Sequence, residues 1–264
     1  MNIEFYKYHG TGNDFILIDN RNNQYNKFSS RFIKKICHRR FGIGGDGFII
    51  LGHHPEFDFR MKYYNSDGYE SSMCGNGGRC IVAFAKKMGI IKTYARFESI
   101  DGIHEAFIDR NDNVQLKMND VETIENDTDH FYLDTGSPHY VKFLNQEENI
   151  TDMDVFHEGR NIRYNERFKA KGTNVNFVKY EDNKLYVRTY ERGVENETYS
   201  CGTGVVASAI CTALKFDKHK KSFPITTYGG NLRVFFDSLD ESGVHDIWLE
   251  GPATFVFKGK SYFQ

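Results

Sequence analysis

The sequence predicts an α+β protein of two similar domains, each a strand-rich unit wrapped around one buried helix. Three observations predict it. Cys74-Gly75-Asn76-Gly77 and Cys201-Gly202-Thr203-Gly204 stand roughly half the chain apart, and each opens a run with the pattern of a helix. The flanks match as well: Tyr64-Asn65-Ser66-Asp67-Gly68 leads into the first cysteine, and Tyr190-Glu191-Arg192-Gly193 leads into the second at almost the same distance. Beyond the cysteines, Ile81, Val82, Phe84 and Ala85 are answered by Val205, Val206, Ala209 and Ile210, the dense apolar pattern of a helix sunk in its own domain.

The elements follow in order. Residues 1–7 read as an edge strand, followed by the loop His9-Gly10-Thr11-Gly12-Asn13-Asp14, whose glycines permit tight turns. Residues 29–40 have a serine start and place Phe32, Ile33, Ile36 and Cys37 at helical spacing. Phe57, Phe59, Met61 and Tyr63 alternate as one face of a strand that delivers Asn65 to the first cysteine loop. After the first cysteine helix, residues 94–99, 104–108 and 114–118 read as strands joined by Asp-Gly and Asn-Asp-Asn turns. Residues 123–129, polar and acidic, read as the linker, which gives domains over 1–122 and 130–251. In the second half, residues 152–160 read as a short helix and 174–180 and 184–190 as strands, then comes the second cysteine helix. Strands built on 225–228, 232–236 and 247–249 close that half, and a last strand within 252–264 can return to the first domain.

Composition narrows the function. Lysine plus arginine (34) nearly balances aspartate plus glutamate (36), for a net charge of −2 with no basic block, so no nucleic-acid partner is expected. No segment approaches the apolar length that spans a bilayer, and the N-terminus lacks the pattern of a secretory signal; no membrane is expected, and the reading is a soluble cytoplasmic protein. The five cysteines suit neither a disulfide framework nor, lacking a CxxC pair, a zinc site, so no metal is expected. Cys37, Cys80 and Cys211 fall within apolar helical periodicity and read as small buried hydrophobes. A literal GxGxxG occurs in Gly42-Ile43-Gly44-Gly45-Asp46-Gly47, but a helix precedes it and the strand-like Phe48-Ile49-Ile50-Leu51 follows, the reverse of a dinucleotide fingerprint. It reads as a tight, site-shaping loop.

Cys74 and Cys201 carry the chemistry. A cysteine just ahead of a helix has its thiolate stabilised by backbone N–H groups and by the positive end of the dipole. Two such thiols facing one substrate from opposite sides at a domain interface make a base and a proton donor, as a racemase requires. The N–H groups at both helix starts can hold a substrate carboxylate as it gathers charge, without a cofactor acting as electron sink.

HGTGNDF (9–15), YNSDG (64–68), CGNGGRC (74–80), GSPHYV (136–141), TNVNFV (173–178), YERG (190–193) and CGTG (201–204) together resemble the motif series of the diaminopimelate epimerase family, in the same order and over nearly the whole chain. The resemblance implies two similar barrel-like domains, each folded around a central helix. It implies a cofactor-independent enzyme that interconverts LL- and meso-2,6-diaminopimelate on the route to lysine and peptidoglycan, and a homodimer. Carried over by position, Cys74 and Cys201 match the catalytic cysteines, while His139 and Glu191 match positions that support them. Gly75, Asn76, Gly202 and Thr203 match the donors to the reacting carboxylate, and Asn13, Asn65, Asn174, Glu191 and Arg192 match the substrate contacts. An arginine fork suits a carboxylate, and glutamate or asparagine oxygens suit an ammonium.

Simpler readings stand beside these. His139, after Ser137-Pro138, has the context of a structural turn histidine; Glu191 and Arg192, of a solvated pair; Asn13, of a residue capping its own turn. Two departures from the family pattern matter. Ser137 stands where many members have asparagine, and Gly47 where some have glutamine, so a side-chain contact from position 47 is ruled out. The competing functions are another cofactor-independent amino-acid racemase of the same superfold, or a noncatalytic redox-sensing protein whose cysteine pair oxidises reversibly.

Overall fold

The computed structural model describes residues 2–25 and 28–262. Met1, Phe263 and Gln264 of the expected terminal strands lie outside the described residues. The chain forms two compact units, Met1–Leu116 with Gly251–Gln264, and Lys117–Glu250. In chain order the first contains β1 (Asn2–Gly10), β2 (Asn13–Asp19), α1 (Ser30–Cys37), β3 (Gly47–Gly52), β4 (Phe59–Asn65), β5 (Glu70–Ser71), α2 (Gly75–Lys87), β6 (Tyr94–Ser99), β7 (Gly102–Ile108) and β8 (Asn113–Lys117). The second contains β9 (Ile124–Asn126), β10 (Phe131–Asp134), β11 (Pro138–Phe143), α3 (Val155–Arg163), β12 (Asn174–Glu181), β13 (Lys184–Glu191), β14 (Asn196–Thr198), α4 (Gly202–Phe216), β15 (Ser222–Thr227), β16 (Gly230–Phe235), β17 (Ser238–Asp240) and β18 (Gly243–His245). β19 (Trp248–Pro252) ends it, and the chain then returns to the first unit as β20 (Thr254–Tyr262). The architecture is sheet-rich α+β, and none of the helices among the described residues is long and apolar enough to cross a membrane.

In the first unit, every residue of α2 from 75 to 85 is buried, as an all-round apolar helix demands. Strands β1 to β3 pack one face on α2 and the other on α1. Side-chain alternation sends Tyr6 and Tyr8 to Phe84 of α2, whereas Ile3, Phe5, Ile16, Ile18, Phe48 and Ile50 join Ile33 and Ile36 of α1 in a second cluster. β1 is therefore not the expected edge strand. It pairs antiparallel with β2 on one side and with β20 on the other, and a strand buried on both faces belongs in the sheet interior. The expected loop at 9–14 is a two-residue hairpin turn, Thr11-Gly12, with φ of 48° and 87°, which sets Asn13 as the first residue of β2. α1 begins where expected: Ser29 caps it by accepting from the Phe32 amide at 3.2 Å.

In the second unit, α4 is buried at every residue from 204 to 213. β11 runs parallel to β12, with His139 opposite Asn174, and β12 runs antiparallel to β13, with Asn176 opposite Thr189. Tyr140, Val175, Phe177 and Tyr190 form one cluster with Val155 of α3. The intervening residues of these strands, including His139, Asn176 and Thr189, therefore face the other way, toward α4. Within residues 123–129, Ile124–Asn126 pairs with β10 inside this unit. His139 is a strand residue and not a turn residue, because Pro138 occupies the first position of β11, where its missing N–H costs no ladder bond.

Candidate active site

Each unit carries one cysteine at the start of its central helix. In the first, Cys74 is the N-cap of α2 in extended conformation, and its sulfur accepts from the Gly77 amide at 3.2 Å. Asn76, in the first turn, donates to Asn13 Oδ1 at 3.2 Å, and Asn13 donates to Asp46 Oδ2 at 2.8 Å. Asn65 ends β4 opposite Gly47, and its Oδ1 accepts from the Tyr63 hydroxyl at 2.8 Å. Asn13, Asn65, Asn76 and the helix start are thus held on one side of this unit. The Asn13 side chain bonds outside its own turn and links β2 to α2.

Beneath them lies Arg79, fully buried in α2. Its guanidinium donates to Gly75 O (3.2 Å), Asn76 Oδ1 (2.9 Å), Thr11 Oγ1 (3.2 Å) and Pro252 O (3.4 Å), all neutral oxygens. Burial pushes its pKa down to about 10, so it remains a cation at neutral pH. This places a positive charge within the first turns of the helix that Cys74 caps.

In the second unit, Cys201 is the N-cap of α4 and makes no side-chain cap bond to the helix. Its sulfur lies 3.5 Å from the Thr203 hydroxyl, and that hydroxyl lies 2.9 Å from His139 Nε2. His139 is fully buried; desolvation, and then the charge of Arg192, push its pKa down to about 3, so it is a neutral imidazole at physiological pH. Asn174 Oδ1 accepts from the Arg192 amide at 2.9 Å, while its Nδ2 donates to Ser137 Oγ at 2.9 Å. The Arg192 guanidinium donates to Ser137 Oγ (3.4 Å) and Lys171 O (3.2 Å), and the Glu191 carboxylate accepts from the Thr198 hydroxyl at 3.0 Å. The residue pair 191–192 is therefore tied into the unit rather than loosely solvated. Ser137 bridges Asn174 and Arg192, a role its short hydroxyl fills.

The other three cysteines differ in kind. Burial pushes Cys37 up to about 12 and also raises Cys80 and Cys211, which keeps them as inert thiols. The glycine loop at 42–47 is closed on itself: amides of Gly42, Ile43, Gly44 and Gly45 bond to the carbonyls of His38, Ile36, Ile36 and Cys37 at the end of α1. A Cβ on Gly47 would meet Tyr63 Cε2 at 2.5 Å, so only glycine fits there.

Sequence reasoning missed Arg79, Asp46, Asn176 and Thr189. A charged residue inside the apolar run of α2 was the available signal for Arg79, and the spacing of two from Asn174 was the signal for Asn176.

A phenazine biosynthesis protein of the PhzF family from Bacillus anthracis superposes with a TM-score of 0.75 over 100% of both chains at 13% identity, which defines the fold class. A diaminopimelate epimerase family model matches residues 5–124 and 131–256. The diaminopimelate epimerase of Flavobacterium psychrophilum is 48% identical over 97% of this chain and 99% of its own, and that of Chlorobaculum tepidum is 41% identical over 95% and 98%. The chain belongs to the diaminopimelate epimerase family, and so to the isomerases.

Proposed function

We propose that this enzyme interconverts LL- and meso-2,6-diaminopimelate without a cofactor, in the cytoplasm and as a homodimer, in the supply of lysine and peptidoglycan precursors. The two units serve as its two epimerase domains, and Cys74 and Cys201 act as an acid–base pair. One thiolate takes the proton from the substrate α-carbon and becomes a thiol. The other thiol delivers its proton to the opposite face of that carbon and becomes the thiolate, so the enzyme emerges in the complementary protonation state. Between the two transfers, negative charge spreads onto the substrate carboxylate, where the N–H groups at Gly75-Asn76 and Gly202-Thr203 stabilise it. Asn13, Asn65, Asn174, Glu191 and Arg192 bind the remaining groups, with Arg192 suited to a carboxylate and Glu191 to an ammonium. His139 and Glu191 support the cysteines.

The observation that carries this reading is the matched placement of Cys74 and Cys201 as N-caps of the two central helices in a chain of this family. The test is incubation of the reduced protein with LL-diaminopimelate in D2O. Meso product should form with solvent deuterium at the inverted carbon, while early recovered substrate stays nearly unlabelled, because the abstracting thiol retains the substrate's own proton. Equal early labelling of both pools would exclude the two-base route.

A further inference from the structure

We propose that Asn176 is a positioning residue for Cys201: it holds His139 as the Nε2–H tautomer, so that His139 donates to Thr203 and the Thr203 hydroxyl proton is directed at the Cys201 sulfur. This rests on the reading of Cys201 as a catalytic thiol.

The direction of each bond follows from its partners. Asn176 Nδ2 lies 3.1 Å from Tyr140 O, and a carbonyl only accepts, so the amide nitrogen faces it. The Asn176 oxygen is accordingly the end that accepts from the Thr189 hydroxyl at 3.0 Å. The second Nδ2 hydrogen points to His139 Nδ1 at 3.0 Å, which must then accept. In a neutral imidazole the proton is left on Nε2, aimed at Thr203 Oγ1 at 2.9 Å. With that oxygen accepting, the hydroxyl hydrogen is available to the sulfur at 3.5 Å. The chain of donors therefore runs one way, from Asn176 to Cys201, and stabilises a thiolate at its end.

The same geometry excludes His139 as a proton acceptor from Thr203 or Cys201. Its Nε2 already carries hydrogen, and protonation of Nδ1 would set two donors face to face. His139 acts through Thr203 as a fixed dipole. Asn176 holds its place because Gly204 makes room: a Cβ there would lie 2.3 Å from Asn176 Oδ1.

Asn176→Asp is the decisive variant. At a pH where His139 is neutral, a carboxylate accepts from Nδ1–H, moves the lone pair to Nε2, and turns the Thr203 hydroxyl toward His139 and away from sulfur. The 15N shifts of His139 should report Nε2–H in the wild type and Nδ1–H in the variant. Alkylation of Cys201 by iodoacetamide, normalised to Cys74 in the same molecule and read by peptide mass spectrometry, should fall about 10-fold or more, as should kcat, with KM little changed. A wild-type Nδ1–H tautomer, or unchanged relative Cys201 reactivity in the variant, would overturn the proposal. If Asn176→Asp does not fold, Thr203→Val must show the same selective loss at Cys201 and Thr203→Ser must restore it; unaltered reactivity in Thr203→Val overturns the relay. Wild-type protein with the expected tautomer and reactivities but no meso product would instead sink the proposed reaction and leave the relay standing.

Discussion

In the first unit the sulfur of Cys74 takes a hydrogen bond from the Gly77 amide, and a buried guanidinium sits five residues along the same helix. In the second unit the position five residues beyond Cys201 is Val206, and the sulfur is met by the Thr203 hydroxyl, itself backed by a neutral imidazole. The two Cys-Gly-x-Gly starts therefore share a helix N-terminus and little else. One thiol sits near a full charge carried on a buried side chain, the other at the end of a series of oriented dipoles. A duplicated motif constrains where the helix begins; the surroundings of each sulfur can reach the same chemical end by different electrostatics.

The largest expected effect tests whether the two halves are equal partners. Cys74→Ala and Cys201→Ala should each lower epimerisation by about 10²–10⁴-fold, the usual contribution of a general acid or base. A variant retaining more than about a tenth of wild-type activity would show that its half is not an obligatory proton-transfer site.

The charge in the first half is also structural. Arg79→Met should cost about 2–4 kcal/mol, because it strips partners from buried oxygens of Asn76 and Thr11, as measured by the urea midpoint. An unchanged midpoint would mean that the cation serves Cys74 and not the fold.

The second half should answer to acid instead. The His139 pKa is depressed in the folded state to about 3 against 6.5 unfolded, so the unfolded chain binds the extra proton as pH falls, and stability is lost below the unfolded value. About 2 kcal/mol should disappear between pH 6.5 and roughly pH 5 in the wild type, and much less in His139→Gln. The first unit's Asp14 opens a lower window. Burial raises its pKa, but hydrogen bonds from Arg39 and Lys7 outweigh that and hold it well below the usual carboxylate range. Equal acid slopes in wild type and His139→Gln would remove His139 as the source.

The smallest effect compares two matched glycines, each third after its cysteine. A Cβ on Gly204 would lie 2.3 Å from Asn176 Oδ1, whereas one on Gly77 would meet Cys74 Sγ at 3.2 Å. Gly204→Ala should be less stable than Gly77→Ala by about 1–2 kcal/mol, since overpacking costs energy and helix propensity favours both alanines alike. Equal melting temperatures would show that the Asn176 seat can shift.

Some of this was legible in the sequence for identifiable reasons. The central helices were visible because they are apolar all round and their starts are marked by Cys-Gly-x-Gly, and α1 because Ser29 caps a clear stripe. β2 was hidden because Phe15 to Ile18 are all buried, a run without alternation. β11 was hidden because Pro138 at its first residue reads as a turn. The cysteines and the polar residues beside them could be proposed from motif and spacing. The partners behind them could not: Asn176 matters through its place beside His139, and which residues of β11, β12 and β13 stand together is a matter of strand register that no single segment encodes.

The pairing of β1 with β20 bears on how the chain is made. A polypeptide emerging N-terminus first has the whole of the second unit, continuous from Lys117 to Glu250, before β20 exists. The first unit must wait with one side of β1 open, and closing it joins residues about as far apart in sequence as the chain allows, a slow step in a fold rich in nonlocal pairings. The Arg79 guanidinium waits too, since one of its acceptors is Pro252 O. A chain truncated after Glu250 should therefore protect the later half from protease while the earlier half is still cut, the reverse of the order in which the two are synthesised.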